Sequence, residues 1–250
     1  MRVLISEIAD GSLQPGDRLK TESELASHFG ASRGVVRECL RGLEERGVIK
    51  VRHGKGATVQ PEAEWNLLDA DVLTGVLQTN RSAHVLQDFL ECRKIIEIEA
   101  AGLAAERADA VALTAIADAF TRMTAAAKRA ETSRAAEDLF RQADIEFHSA
   151  IFAASGNSIL PMVVKPIQQA MEAARQPLAH PQDRPALILP EHKAILTAIA
   201  EHKVAEARAA MSAHLETVQR YLHEYADTLE PMDGSPGALP AHNSANSLDQ

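Results

Sequence analysis

Apolar residues recur at three- and four-residue spacing along most of the chain, and the period changes only once. A first helical pattern over residues 2–10 ends at Gly11, and "LQPGDRL" follows with Pro15 and Gly16 as turn chemistry. Thr21 opens a second pattern, because "TESE" puts Thr at an N-cap and Glu24 three residues on, the arrangement of a capping box. It stops at Gly30. Ser32 caps a third, "RGVVRECLRGLEER", which stops at Gly47. "VIKVRHGKGATVQ" then alternates apolar and polar residues about "HGKG", which predicts a two-stranded hairpin.

From residue 64 onward the helical period returns and no strand pattern follows. "WNLLDADVLTGVLQ", "HVLQDFLECRKIIEIEAAGLAAER", "VALTAIADAFTRMTAAAKRA" and "AAEDLFRQADIEFHSAIFAAS" read as successive amphipathic helices. In "SILPMVVKPIQQAMEAARQ", Pro161 and Pro166 predict a late start or a kink. "PLAHPQDRP" reads as a loop, and "ALILPEHKAILTAIAEH" with "KVAEARAAMSAHLETVQRYLHEYADTL" completes an antiparallel bundle. The small, polar stretch from Pro231 is expected to be disordered. The expected fold class is mainly α: a winged helix-turn-helix over 1–61, a linker or connecting helix over 62–83, an all-helical antiparallel bundle over 84–230, and a tail over 231–250.

Composition narrows the setting. At 250 residues with 46% hydrophobic and 24% charged positions, the chain reads as soluble and globular, with room for one large domain or two ordinary ones. Its apolar runs are too short to cross a bilayer, the N-terminus lacks a secretory pattern, and Cys39 and Cys92 suggest no disulfide framework. A cytoplasmic protein without a membrane partner is expected. The net charge of −9 is uneven: residues 1–60 hold ten Lys/Arg against eight Asp/Glu, and the remainder sixteen against twenty-seven. A slightly basic head on an acidic body suits a small domain meeting an anion.

That head has the parts of a DNA reader. In a winged helix-turn-helix the recognition helix enters the major groove with its N-terminal residues at base edges. This places Arg33 and Gly34 at the bases, the first as a bidentate guanine reader and the second where the backbone comes close. Arg37 lies one turn on, within reach of a base or a phosphate, and Ser32 stands at the same helix end. Lys20 and Thr21, beside the free amides of a helix N-terminus, suit phosphates. His53, Gly54 and Lys55 form a basic wing tip suited to the minor groove. The alternative is an ordinary helical hairpin with surface arginines.

The body places ionisable residues on faces it should bury. In "DIEFHSAIF", Asp144 and His148 share a helix face with Phe140, Ile151 and Phe152. His192 lies in a stripe with Ile188, Leu189, Ile195, Leu196 and Ile199. His214 lies in one with Met211, Val218, Leu222 and Tyr225. His28, His202, His223 and His242 fall in charged or flexible contexts instead. Buried polar groups are costly unless paired or metal-bound. Asp144 and His148 alone would read as a hydrogen-bonded pair. Three core histidines with one aspartate are more economically ligands converging on one cation. Such a donor set suits Zn, Ni, Mn, Co or Fe(II).

Residues 3–60 resemble the GntR family of bacterial transcription regulators, through the order PGDRL, TESELA, GASRGVVRECL, LEERGVI and HGKG. The resemblance implies operator contacts by Arg33, Gly34, Arg37, His53 and Gly54. Two departures are Ser23, where the family often has arginine, and a first helix that starts short. Residues 84–226, with Asp-x3-His, "EHKAI" and "MSAHL", resemble the effector domain of the FadR-type branch. That implies a divalent metal held by Asp144, His148, His192 and His214 inside the bundle, and Arg93 in an effector cavity.

Open positions on such an ion would take water or a small organic acid, and an effector carboxylate would welcome a second cation. Arg93 is the candidate, with an i,i+4 salt bridge to Glu97 as the alternative. Asn157, in "ASGNSIL", either caps the next helix or lines the pocket. "WNLLDADVL" resembles a stretch in regulators of galactonate and related sugar-acid operons, which implies a sugar-acid effector. The leading expectation is a homodimeric, metabolite-responsive regulator of double-stranded operator DNA, acting as a repressor released by a small carboxylate. The alternatives are a regulator for which the ion is itself the signal, and a metal-dependent enzyme.

Overall fold

Capping decides where the helices of the head begin. In the computed structural model, which describes residues 1–52, 56–79, 82–130, 133–175 and 185–228, three helices and a hairpin open the chain: α1 (Arg2–Ala9), α2 (Glu22–Phe29), α3 (Arg33–Glu45), β1 (Ile49–Arg52) and β2 (Gly56–Val59). The Thr21 hydroxyl accepts from the Glu24 amide, and the Glu24 carboxylate accepts from the Thr21 amide at 2.7 Å, which is the predicted capping box. Gly30 closes α2 at φ 60°, and Ser32 Oγ accepts from Val35 N at the start of α3. The strands pair antiparallel in the register Ile49↔Val59, Lys50↔Thr58, Val51↔Ala57 and Arg52↔Gly56. The wing tip, His53, Gly54 and Lys55, lies outside the described residues, as do the tail 231–250 and most of the loop before α9.

The connecting segment departs from its predicted bounds. After one 3-10 turn (Glu62–Glu64), helix α4 runs Ala70–Leu77 rather than starting near Trp65. Asp69 imposes the later start, its carboxylate accepting from the Asp71 and Val72 amides. Nor is this segment a free-standing linker. Val72, Leu73, Val76 and Leu77 are buried, and α4 packs against α1 on one side and α8 on the other. Arg46 pairs with Asp69 at 2.9 Å and Arg2 with Asp71 at 2.7 Å, which ties both ends of the head to this helix.

The body is a bundle of α5 (Ser82–Arg107), α6 (Ala110–Ala130), α7 (Arg134–Ala154), α8 (Leu160–Arg175), α9 (Pro185–Ala200) and α10 (Val204–Thr228). Pro161 sits in the first turn of α8, where its missing N–H costs nothing, and α8 continues through Pro166. Two apolar cores form. One joins the head to α4, the start of α5 (Val85, Leu86, Phe89) and Ile167 of α8. The other fills the bundle with Ile116, Met123, Phe147, Ile151, Ile195, Ile199 and Leu215, packed on the Ala100, Ala101, Ala104 and Ala105 face of α5. Small residues there let the helices approach closely around the ionisable side chains described below.

Gly47 shows how tightly the connecting segment closes on α3. It holds φ +74°, and a Cβ at this position would lie 2.0 Å from the Glu64 carbonyl oxygen. Gly47→Ala is expected to destabilise the protein by roughly 1–3 kcal/mol from backbone strain alone. Urea denaturation would read this as a lower midpoint at unchanged slope, and an unaltered midpoint would refute the close approach.

Candidate functional site

Helices α7, α9 and α10 each contribute an imidazole to one point inside the bundle. The ligand atoms of His148, His192 and His214 lie within 4.8 Å of one another, and all three residues are buried. Asp144, one turn before His148, joins them: its Oδ1 is 2.9 Å from His192 Nε2 and 3.7 Å from His148 Nε2. The ring centroids of His192 and His214 are 4.3 Å apart, and Phe147 presents an edge contact to both His148 and His192. The structure therefore brings together the four residues that the sequence grouped. The side chains of Leu222 and Tyr225, from the predicted His214 stripe, lie outside the described residues.

Hydrogen positions follow from the acceptors around the rings. His192 Nδ1 lies 2.9 Å from the Ile188 carbonyl oxygen, which can only accept, so the proton is on Nδ1. His192 Nε2 faces Asp144 Oδ1 at 2.9 Å, so a proton or a cation lies between the two atoms. The separation also matches two donors on one metal ion, which lie roughly 3 Å apart at right angles when the bonds are about 2.1 Å. Both ring nitrogens of His148 are buried, and neither has a hydrogen-bond partner among the described residues. Burial and its two neighbouring imidazoles push the His214 pKa down to about 4, against the opposing pull of Glu191, so this ring is neutral and able to ligate.

Two glutamates at the site were not among the sequence-predicted ligands. Glu97 of α5 is buried, and its Oε2 stands 2.7 Å from His148 Nδ1 in a close but bent contact. Burial alone would raise its pKa, but the Arg93 guanidinium and His148 outweigh burial and hold it below the usual carboxylate range. Glu191 Oε2 accepts from His214 Nδ1 at 3.1 Å, and its Oε1 accepts from Thr217 Oγ1 at 2.7 Å. Glu191 adjoins His192 in sequence, yet adjacent helical residues point about 100° apart. It therefore serves a different histidine on a different helix.

The two effector candidates separate. Arg93 Nε is 2.5 Å from Glu97 Oε1, and both side chains are buried. The i,i+4 salt bridge is thus present, placed beside the histidine cluster rather than on the surface. Asn157 is exposed, and its side chain accepts from the Ile159 and Leu160 amides at the start of α8. It is a helix cap, one of the two readings that the sequence left open.

In the head, Lys20, Thr21, Ser32, Arg33, Gly34 and Arg37 are all exposed along α2 and the start of α3. Arg33 has no hydrogen bond or ion pair among the described residues, so its guanidinium is free for a base edge. Arg37 is held by Glu22, with Nη2 to Oε2 at 3.1 Å. A Cβ on Gly34 would meet only Ser32 Oγ, at 3.8 Å. Internal packing therefore does not require glycine there, whereas close approach of another molecule would.

The buried pair makes a specific claim about stability. Removing one partner of a buried ion pair typically costs roughly 3–5 kcal/mol, because the other charge is left uncompensated. Arg93→Met should fall in that range, and Arg93→Met/Glu97→Leu should recover a large part of it. Chemical denaturation of the four proteins of this cycle measures the coupling.

Residues 2–59 match the model of the bacterial regulatory proteins of the gntR family, and residues 88–217 match the FCD domain. The galactonate operon transcriptional repressor of Escherichia coli K12 is 32% identical over 77% of this chain and 82% of its own length. The HTH-type transcriptional regulator LutR of Bacillus subtilis 168 is 32% identical over 87% of this chain and 97% of its own. Among solved structures, Lar, described as controlling expression of the Listeria monocytogenes agr system, has the same fold. It superposes with a TM-score of 0.56 at 20% identity, covering 91% of this chain and 94% of that one.

Proposed function

The chain belongs to the GntR family of bacterial regulators and carries an FCD-type body; from that premise we propose that it is a metabolite-responsive regulator of double-stranded operator DNA whose bundle holds a divalent transition metal. One observation carries the metal: three buried imidazoles from three helices whose ligand atoms lie within 4.8 Å of one another, with Asp144 Oδ1 2.9 Å from His192 Nε2. Asp144, His148, His192 and His214 would hold the ion, and three imidazoles with one carboxylate suit Zn, Ni, Mn, Co or Fe(II). A bound ion supplies concentrated positive charge in the core and coordination positions open to a carboxylate oxygen.

The effector in this reading is a small carboxylate. Sugar acids come first, because a relative 32% identical is named for the galactonate operon; that name also supports repression. Arg93 pairs with Glu97, which contacts His148, so an effector carboxylate reaching Arg93 competes with Glu97. The protein acts as a homodimer, because one head spans a half-site and two-fold operators mirror two-fold proteins. Arg33 and Gly34 read bases, Arg37 supports them, and Lys20, Thr21 and Ser32 position the helix on phosphates. The wing residues His53, Gly54 and Lys55 would complete the contact in the minor groove.

Two experiments test this reading. Arg33→Ala should weaken specific operator binding by roughly 1–3 kcal/mol and flatten the preference for operator over random DNA. A titration should find two chains per operator. Unchanged specificity would remove Arg33 from the base-reading role, and a one-to-one stoichiometry would exclude the dimer. Protein purified without chelator should carry about one first-row metal per chain by elemental analysis, as four converging ligands imply. His148→Ala, His192→Ala and His214→Ala should each lower that occupancy while leaving operator binding intact. Wild-type protein that neither carries nor takes up metal would leave the cluster a hydrogen-bonded structural network.

A further inference from the structure

Two of the three imidazoles have a hydrogen-bond acceptor at Nδ1, on the side away from the cluster. For His192 it is the Ile188 carbonyl, one turn back on α9, at 2.9 Å. For His214 it is Glu191 Oε2 on α9, at 3.1 Å. Glu97 Oε2 on α5 stands 2.7 Å from His148 Nδ1, but neither atom forms a hydrogen bond among the described residues. The backbone acceptor is supplied by the helix itself. The Glu191 carboxylate is not, and it is fixed through its other oxygen. Glu191 Oε1 is held by Thr217 Oγ1 at 2.7 Å, and Thr217 Oγ1 accepts in turn from Arg220 Nη2 at 3.0 Å.

A neutral imidazole carries one proton and one lone pair, so an acceptor at Nδ1 sends the lone pair to Nε2. Without that acceptor the tautomers interconvert, and a ring bearing its proton on Nε2 cannot ligate at that atom. Thr217 is buried, and Glu191 keeps a quarter of its side-chain surface.

We propose that Glu191 is a positioning residue that locks His214 in the Nδ1–H form, so that the ring presents Nε2 to the cation, with Thr217 clamping the carboxylate. This rests on the metal reading above and adds a residue that touches no ligand position itself.

Zinc competition titrations on the full chain, with long-range 15N–1H spectra of the histidine rings of the metal-free protein, test the assignment. Glu191→Leu, at the more exposed position, should weaken zinc by roughly 10–100-fold, the usual effect of losing an outer-sphere partner. Glu191→Gln keeps an acceptor and should recover much of that loss. In the wild-type spectra His214 should be Nδ1–H, and Glu191→Leu should bring up an Nε2–H signal for His214 alone, a change that general loosening of the fold would not confine to one ring. Wild-type zinc affinity in Glu191→Leu, or an Nε2–H His214 in the wild-type protein, overturns the positioning role while leaving the metal reading standing. Failure of the wild type to take up zinc or another first-row metal overturns both.

Discussion

The core of the body depends on one buried polar contact, His192 Nε2 to Asp144 Oδ1 at 2.9 Å. An apolar bundle has no water to intervene, and unpaired polar groups there cost several kcal/mol each. The surroundings supply compensation outward from that point. Arg93 offsets Glu97, Glu191 accepts from the outer nitrogen of His214, and Thr217 completes Glu191. The alanine face of α5 with Phe147 closes the cluster within apolar packing.

The same helices connect this centre to the head by direct packing. Helix α7 carries Asp144 and His148 and packs on α8; α8 packs on α4; α4 packs on α1 of the DNA-reading domain. Gly75 of α4 lies against Ile5 closely enough that a Cβ would fall 2.5 Å from Ile5 Cγ2, and Arg46–Asp69 adds an ion pair across the same junction. The apolar core of the head thus extends through α4 into the start of α5 and to Ile167. A ligand that favours one arrangement of α7 and α8 acts on packed side chains all the way to α1. Coupling of this kind is a difference in free energy between arrangements and works equally in both directions.

Much of this was legible along the chain because it is local. Thr21, Ser32 and Gly30 mark helix ends through bonds to residues three or four positions away, and the structure contains those bonds. The hairpin followed from its period-two alternation, and the buried faces of α7, α9 and α10 from a 3.6-residue period that counted Asp144, His148, His192 and His214 among core positions. The start of α4 was misplaced because an apolar run from Trp65 to Leu68 resembles a helix until Asp69 claims the Asp71 and Val72 amides. Asn157 offered two readings from one sequence, and its exposure beside the first turn of α8 decided for the cap.

By itself the sequence determined which side chains would be buried, since periodicity relative to a helix axis needs no knowledge of neighbours. It could not determine which buried faces meet. Arg93 and Glu97 read as one i,i+4 pair, and only the packing of α5 on α7 shows that the pair ends on His148. Glu191 read as the neighbour of His192, and only the packing of α9 on α10 hands it to His214. Both are contacts between residues at least 23 positions apart. Such a contact depends on crossing angle and separation of two helices, quantities set by the summed packing of whole faces and recorded in no short stretch of chain.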